Sequence, residues 1–450
     1  MATTALLTQG VVEFFEEAGL MFPPVNKKRK ISVTALPSSA SSSRGSSSSS
    51  GRINSASFSA TYQNIAKDFI EFPENLYSRE TYQVLGFDEP TAEMLWKRYL
   101  TGDPSNPFGG FVGYFQTYIE WSKVEDAESV HDDWLGTMRK LGVNETLQAA
   151  IIAPGFDDIR TTATCKQWLL FSMTSTFETL EGLNEQLRLE QAKRQHLAKI
   201  GRREMSPPRA LSSPRSRKGV SPPPQVSTTI SREGSAAAHS ILTEAPESTL
   251  GHTMVWRAGL KDITVACCTE NADSLAFDRI SLAPGDFSGK VPVVYFSTQR
   301  ETADRYAVYL KYIAPITEIA VLQLAVPNEF IQSLSINYLW SEGEDSAKWK
   351  EVIWNSRRSQ RLPKHLNAML ETELWIGDIA RAPHKAYHKM QHFNEVSPEH
   401  ALTVSINGRE QNAIQWVFHD NQAEDLLAQK CKRLAWVHPV GIHVECIKPE

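Results

Sequence analysis

The chain has 450 residues, of which 41% are hydrophobic and 22% charged, and its formal net charge is -5. This length and apolar content are enough for two domains with cores of ordinary size, which excludes a wholly disordered protein. The small negative charge gives no global attraction to nucleic acid or acidic membranes. Such binding therefore requires a local basic stretch.

The cysteines and apolar runs indicate a protein of a reducing compartment inside the cell. The five cysteines form no C-x-x-C pair, which argues against a zinc site, and the one vicinal pair is a poor disulfide candidate. They are Cys165, Cys267, Cys268, Cys431 and Cys446. No apolar run approaches the roughly 20 residues of a membrane span. Acidic residues in the first apolar segment, without a basic leader, argue against a secretory signal.

Residues 1–60 are predicted to contain a short helix, a basic cluster and a disordered Ser-rich tail. Apolar residues at helical spacing over 6–20 predict an amphipathic helix. The tract 38–59 has too few apolar side chains to offset its ordering entropy. Four adjacent cations in an exposed tail, Lys27, Lys28, Arg29 and Lys30, form a patch that a nuclear-import receptor reads. A solvated charge run is the alternative; import would favour the nucleus over the cytoplasm.

Residues 61–203 are predicted to be an all-α region. Ile65, Phe69 and Phe72 lie on one helical stripe, and a long helix is expected over 162–199. Its aromatic cluster could stack bases or bind a ligand, but aromatic residues at helical spacing more often form core. The cluster comprises Phe108, Phe111, Tyr114, Phe115, Tyr118 and Trp121.

The stretch 204–250 is rich in Ser and Pro, and it is predicted to be a disordered, basic linker. Ser206, Ser213 and Ser221 each precede a proline, as in substrates of proline-directed kinases. Phosphorylation would lower the positive charge of the linker. Chance Ser-Pro pairs are the alternative. Specific nucleic-acid binding is not expected, because no aromatic residues interleave the basic ones.

Residues 251–450 are predicted to form a mixed α/β domain, which makes the whole chain α+β. Strands are expected over 252–259 and 291–298, and Ser297 or Thr298 is expected to cap the helix that follows. The dipeptide Asn407-Gly408 predicts a tight hairpin, followed by a short closing helix over 426–434.

This strand, cap and helix order resembles the ADP-ribosyltransferase fold, and most closely an uncharacterised transferase-like family. In that fold a first strand carries Arg or His, where this chain has Arg257, and a second carries Tyr or Ser. The second-strand positions here are Tyr295, Phe296, Ser297 and Thr298. Shorter matches are Asp286-Phe287, 355–358, 375–380 and 415–418.

The resemblance implies that the C-terminal domain binds NAD or a related nucleotide through Arg257 and residues 295–298, without a metal. Transfer also needs a carboxylate that stabilises the oxocarbenium-like ribose. The terminal strand offers Gln415 instead, which keeps a hydrogen bond but carries no charge. Alternative carboxylates are Glu342, Glu344 and Glu373.

Two functions follow as expectations. The first is an ADP-ribosyltransferase-like protein, with Arg257, Tyr295 and Gln415 at the catalytic positions, that is either active or catalytically degenerate. The alternative is a non-enzymatic nuclear regulatory or interaction protein controlled by phosphorylation of its linker. A stripe of histidines, His365, His384, His388 and His392, is expected to face solvent rather than bind a metal, since no HExxH or cysteine accompanies it.

Overall fold

The computed structural model describes residues 5–32, 35–36, 69–102, 109–128, 131–204, 245–269, 273–281, 285–287, 291–358, 360–381 and 384–440. The tract 38–59 and the three serines Ser206, Ser213 and Ser221 lie outside these residues. In the described part the chain is α+β, as predicted. None of the helices described is long and apolar enough to cross a membrane.

The N-terminal part is mainly helical. Its helices are α1 (Gln9–Glu17), α2 (Arg79–Leu85), α3 (Glu89–Thr101), α4 (Gly110–Glu120), α5 (Trp134–Lys140), α6 (Glu145–Ile151), α7 (Asp157–Arg160) and α8 (Cys165–Glu204). Local signals account for several boundaries. The Asp88 side chain accepts a hydrogen bond from Thr91 N (2.9 Å) at the start of α3, and Gly102 ends that helix with a positive φ of 63°. The predicted long helix exists and begins at Cys165.

The basic cluster does not lie in an exposed tail, in contrast to the prediction. It forms part of strand β1 (Lys28–Ser32), which pairs antiparallel with β2 (Phe69–Pro73). On its other side, Val25 and Lys28 exchange two backbone hydrogen bonds across the turn Asn26-Lys27, both of whose residues have positive φ. This is the geometry of a type I′ hairpin turn.

The side chains of the cluster are also engaged. Arg29 pairs with Glu16 (2.5 Å) and Glu74 (3.6 Å), while Lys30 pairs with Glu71 (3.3 Å). A receptor that reads these cations in an extended peptide would have to unpair β1 on both sides. Nuclear import therefore stays a prediction that requires local opening of this hairpin.

The described C-terminal residues form two larger sheets and one two-stranded hairpin. The strands of the two larger sheets are β3 (His252–Leu260), β4 (Val294–Phe296), β5 (Ile319–Pro327), β6 (Ile336–Leu339), β7 (Leu374–Asp378), β10 (Ile414–Phe418) and β11 (Ala435–Val440). One sheet has the order β11-β5-β3 and the other the order β4-β10-β7-β6. The pair β8 (Thr403–Ile406) and β9 (Arg409–Asn412) forms the predicted hairpin, with positive φ at Asn407 and Gly408.

Helices of the C-terminal part cover the sheets. They are α9 (Lys261–Thr269), α10 (Arg300–Ile313), α11 (Asn328–Ser333), α12 (Ser346–Arg357), α13 (His384–Lys389) and α14 (Asn421–Lys430), with 3-10 turns at Phe277–Arg279, Lys364–Glu371, Phe393–Glu395 and Pro398–His400. The cap predicted for α10 is wrong. Its N-cap is Gln299, without a side-chain cap, and Ser297 Oγ accepts a hydrogen bond from Gln299 N (3.1 Å). The closing helix begins five residues earlier than predicted, at Asn421.

The described residues form three large hydrophobic cores and one small one, and the alternation of side chains along the strands separates those on the two faces of each sheet. The inter-sheet core lies between the two sheets and includes Val255, Phe296, Leu322, Leu324, Trp416 and Phe418. The outer core covers the opposite face of the four-stranded sheet and includes Phe287, Trp349, Trp375, Tyr387 and Val417. The helical core includes the buried side of α8 together with α10.

The helical part and the sheets are joined by direct contacts. Arg305 on α10 donates to both carboxylate oxygens of Asp158 on α7, at 2.6 and 2.7 Å. Ser172 on α8 donates to Ile313 O (2.6 Å). The end of the predicted linker also packs, since Gln323 on β5 donates to Pro246 O (2.7 Å). The mainly helical N-terminal region, which also contains strand β2, therefore packs directly against the mixed α/β region.

Candidate functional site

The three strands that carry the predicted site are neighbours. β3 and β4 are joined where Trp256 and Ser297 exchange two backbone hydrogen bonds of 2.7 and 2.9 Å. β4 then pairs antiparallel with β10, with Tyr295 opposite Val417. Strand β4 thus lies between the strand of Arg257 and the strand of Gln415.

The side chains nevertheless lie on two faces. Arg257 is in register with Leu322, so it points toward the inter-sheet core. Phe296 lies in the same core. Tyr295 and Gln415 point the other way, into or beside the outer core. The structure therefore does not bring Arg257, Tyr295 and Gln415 together in one cleft.

Arg257 binds backbone carbonyl groups of its own chain. One terminal nitrogen donates to Tyr295 O (3.0 Å) and the other to Ile280 O (2.5 Å). Burial lowers the pKa of this guanidinium to about 10, and the nearby Cys267 and Tyr295 offset only part of that shift. Arg257 therefore connects β3 to β4 and to the turn around Ile280.

Tyr295 and Gln415 are packed against the loop that contains Asp286. The Tyr295 hydroxyl lies against Gly285, where a Cβ atom would collide with it. Gln415 is 4% exposed, and its Nε2 donates to Asp286 Oδ2 (3.2 Å) and to Asp378 O (3.3 Å). The side-chain amide of Gln415 therefore hydrogen-bonds to groups of the protein itself.

A buried ion pair forms the centre of this face. Asp286 Oδ1 pairs with Arg357 Nη2 (2.6 Å), and its Oδ2 accepts from Ala380 N (2.7 Å). Arg357 also donates to Ala380 O (2.7 Å) and to Thr162 O (3.0 Å), which links α12 to the helical part. Burial alone would lower the pKa of Arg357, but Asp286 and neighbouring tyrosines raise it above its ordinary value.

The carboxylates that could replace the missing catalytic charge are either exposed in a loop or hydrogen-bonded within the protein. Glu342 and Glu344 are exposed in the loop after β6. Glu373 accepts hydrogen bonds from the Ser335 backbone (2.7 Å) and hydroxyl (2.9 Å) at the end of the sheet. Asp378, beside β10, accepts from Ser341 N (2.8 Å), the Ser341 hydroxyl and Asn412.

The three histidines of the stripe whose side chains the structure describes, His365, His388 and His392, do not form a cluster. His365 pairs with Glu351 (2.9 Å), and His388 and His392 are exposed. Within the described ranges, no group of three or more His, Cys, Asp and Glu side chains is arranged to hold a metal ion. His419 stacks on Trp375 with ring centroids 4.4 Å apart. Burial lowers the pKa of His419, which favours its neutral form.

No protein-family model, curated protein or solved structure matches this chain. The site must therefore be interpreted from its own residues. Sequence reasoning noticed Asp286 and Arg357 only as parts of short motifs and assigned neither a role. The pair is separated by 71 positions in the chain, so no local spacing reveals it.

Proposed function

We propose that this chain is a non-enzymatic interaction protein built on an ADP-ribosyltransferase-like arrangement of strands. In this proposal the side chains at the catalytic positions of that fold serve the stability of the protein. The supporting observation is that Arg257 and Gln415 donate hydrogen bonds to partners inside the chain, Arg257 beside the inter-sheet core and Gln415 beside the outer core.

The chemistry of transfer supports the same proposal. A developing oxocarbenium ion needs an uncompensated negative charge close to the ribose. Gln415 is neutral, and the carboxylate next to it, Asp286, is already paired with a buried guanidinium. Because the negative charge of Asp286 is offset by Arg357, this carboxylate would stabilise a positively charged ribose only weakly.

The test is calorimetric titration of NAD into the full chain, together with an assay of nicotinamide release. We expect no saturable heat and no release. Tyr295→Phe removes only the hydroxyl beside Gly285, and Tyr338→Phe makes the same change at a tyrosine that is 53% exposed on β6. Saturable binding that Tyr295→Phe weakens tenfold or more, and Tyr338→Phe leaves intact, would refute the proposal.

One observation favours a second candidate, binding of NAD or a related nucleotide without transfer. Strands β3, β4 and β10 are adjacent, as the resemblance to the transferase fold requires. Saturable NAD binding without nicotinamide release would select this second function. Release of nicotinamide would instead indicate an active transferase or NAD hydrolase.

The proposal also includes regulation of the protein by phosphorylation of the linker. Each phosphate adds about 1.5 to 2 negative charges at neutral pH, so modification of Ser206, Ser213 and Ser221 would reverse the positive charge of their segment. A proline-directed kinase should phosphorylate Ser206, Ser213 and Ser221 in the full chain, as measured by peptide mapping, which separates them from the fourth Ser-Pro pair, Ser397-Pro398. The triple Ser→Ala variant should gain none of these phosphates, and equal total incorporation into both proteins would contradict this part.

A further inference from the structure

Strand β6 forms a free edge of the four-stranded sheet. It pairs parallel with β7 and has no strand on its other side within the described part of the chain. In a parallel pair, alternate residues of a strand bond to the neighbour. Ser335 O accepts a hydrogen bond from Leu374 N (3.2 Å), so the odd-numbered residues of β6 face β7. The backbone N–H and C=O groups of Ile336, Tyr338 and Trp340 therefore point toward the free edge.

The side chains along this edge are apolar and partly exposed. Trp340 packs against the margin of the inter-sheet core, and Tyr338, which is 53% exposed, stacks on it with ring centroids 6.2 Å apart. On the opposite face, Asn337 Nδ2 donates to Met369 O (3.3 Å), which places a turn that carries the exposed Leu370 beside the strand. Apolar surface therefore lies on both sides of the free edge.

Other edges in the described structure carry features that hinder pairing with another chain. β11, at the edge of the three-stranded sheet, contains Pro439, and the segment 21–25, which lies outside β1, contains Pro23 and Pro24. Natural proteins commonly protect an edge in this way, with proline or with charged side chains. The segment 335–341, by contrast, has neither. This edge is therefore open to pairing with a further strand.

We propose that β6 is a homodimer interface, where two copies of this chain pair antiparallel with Tyr338 of each copy on the two-fold axis. Ile336 of one copy then lies opposite Trp340 of the other. All three outward-facing residues belong to hydrogen-bonded pairs in this register, so each N–H and C=O at the edge finds a partner. The two four-stranded sheets become one continuous sheet. Since Arg257 and Gln415 lie on other strands, this inference does not rest on the proposed function.

The composition of the strand favours a second copy over an unrelated peptide. Antiparallel pairing about Tyr338 places apolar side chains opposite apolar ones and brings two tyrosine rings together. No like charges face each other, because the segment 335–341 is uncharged and the acidic Glu342 and Glu344 come to opposite ends of the paired strands. The two-fold axis also closes the assembly at two copies, so β6 retains no free edge.

The experiment measures the molar mass of the full reduced chain by sedimentation over a range of concentrations. We expect a reversible dimer at micromolar chain concentrations. Tyr338→Lys places two ammonium groups at the axis and should weaken dimerisation on the order of 100-fold, because like charges repel there. Tyr338→Phe keeps the ring, and Leu426→Lys adds the same charge at an exposed apolar position on α14. Both controls should dimerise like the wild type.

Cross-linking tests the register. Residues opposite each other in a hydrogen-bonded antiparallel pair have Cα atoms about 5.5 Å apart, which is within the range of a disulfide. Mild oxidation of Tyr338→Cys should therefore join two chains, as measured by non-reducing electrophoresis. The wild type and Leu426→Cys, oxidised in the same way, should stay unlinked.

Hydrogen exchange tests the wild-type chain without any variant. The amides of Ile336, Tyr338 and Trp340 should exchange more slowly at high than at low chain concentration, because dimerisation covers them. A chain that stays monomeric at every concentration would overturn the proposal, and so would a dimer that Tyr338→Lys leaves intact. Slow exchange of these amides in a monomer would also overturn it, since another segment of the same chain would then cover the edge.

Discussion

Two arginines, the half-buried Arg257 beside the inter-sheet core and the buried Arg357 beside the outer core, have opposite electrostatic surroundings. Arg257, on the inter-sheet side, donates to two carbonyl oxygens, and its pKa falls to about 10. Arg357, on the outer side, pairs with the carboxylate of Asp286, and its pKa rises. Neutral carbonyls satisfy the hydrogen bonds of a guanidinium but not its desolvated charge, whereas a carboxylate satisfies both.

This difference predicts how much stability the protein loses when either arginine, or the partner of Arg357, is replaced. Removal of Arg257 takes a poorly compensated charge out of the protein and leaves two carbonyl groups without that donor. Removal of the partner of Arg357 leaves an uncompensated charge buried. The second change should therefore be the more damaging, although the first arginine lies at a predicted catalytic position.

The largest effect is expected for Asp286→Ala. It leaves the charge of Arg357 buried without its carboxylate, and we expect a loss of about 3 to 5 kcal/mol in the free energy of unfolding. Denaturant unfolding followed by circular dichroism measures this loss. The double variant Asp286→Ala/Arg357→Met should be more stable than Asp286→Ala alone. If the loss of unfolding free energy in the double variant equals the sum of the two single losses, Asp286 and Arg357 do not stabilise each other, which would contradict this account.

A smaller loss is expected for Arg257→Met. This substitution keeps much of the apolar volume but deprives Tyr295 O and Ile280 O of their donor, which should cost about 2 kcal/mol. Arg409→Met, at an exposed position on β9, is the control and should stay within about 0.5 kcal/mol of the wild type. A loss for Arg257→Met above that of Asp286→Ala would reverse the proposed order.

Lys311 extends the comparison to a third cation, a buried lysine whose Nζ donates to Thr317 O (2.8 Å). Burial lowers its pKa from 10.5 to about 8, with Glu318 opposing and Lys261 reinforcing the shift. Between pH 8 and 10.5 the unfolded chain therefore binds more protons, so the free energy of unfolding should rise with pH. We expect a rise of about 1 kcal/mol from pH 8 to 9.

The matched control for this effect is Lys311→Met, which removes the titrating amine. Subtracting its pH profile isolates Lys311 from other groups that titrate in the same range. A difference between the two profiles that stays flat, or that falls with rising pH, would show that Lys311 is not desolvated as described.

Local sequence signals predicted much of this fold. The apolar stripe of α8 and the Asn407-Gly408 turn act within a few residues, and both exist close to where they were expected. The spacing of Ile65, Phe69 and Phe72 predicts one stripe of a helix, but Phe69 and Phe72 lie in strand β2, because this segment pairs with β1. Lysine is depleted in β-strands, so the composition of β1 does not predict a strand. The turn before it, with positive φ at Asn26, was the feature that could have indicated a hairpin.

The candidate site was less predictable. Arg257 and Tyr295 are predicted to lie on neighbouring central strands and to line one cleft; their strands are adjacent, but the two side chains point to different faces. The face of each side chain depends on register, since a shift of one residue moves it to the other side of the sheet. The pairing of Asp286 with Arg357 and Gln415 depends on contacts between distant segments, which neither composition nor spacing encodes.

The most direct test of a structural rather than catalytic role is nicotinamide release from NAD by Gln415→Glu. This variant supplies the carboxylate that a transferase would carry, but places it beside Asp286, 3.2 Å from the present amide nitrogen. We predict no release and a stability loss of about 3 kcal/mol from burying a second acid there. Release of nicotinamide by a variant as stable as the wild type would contradict the account.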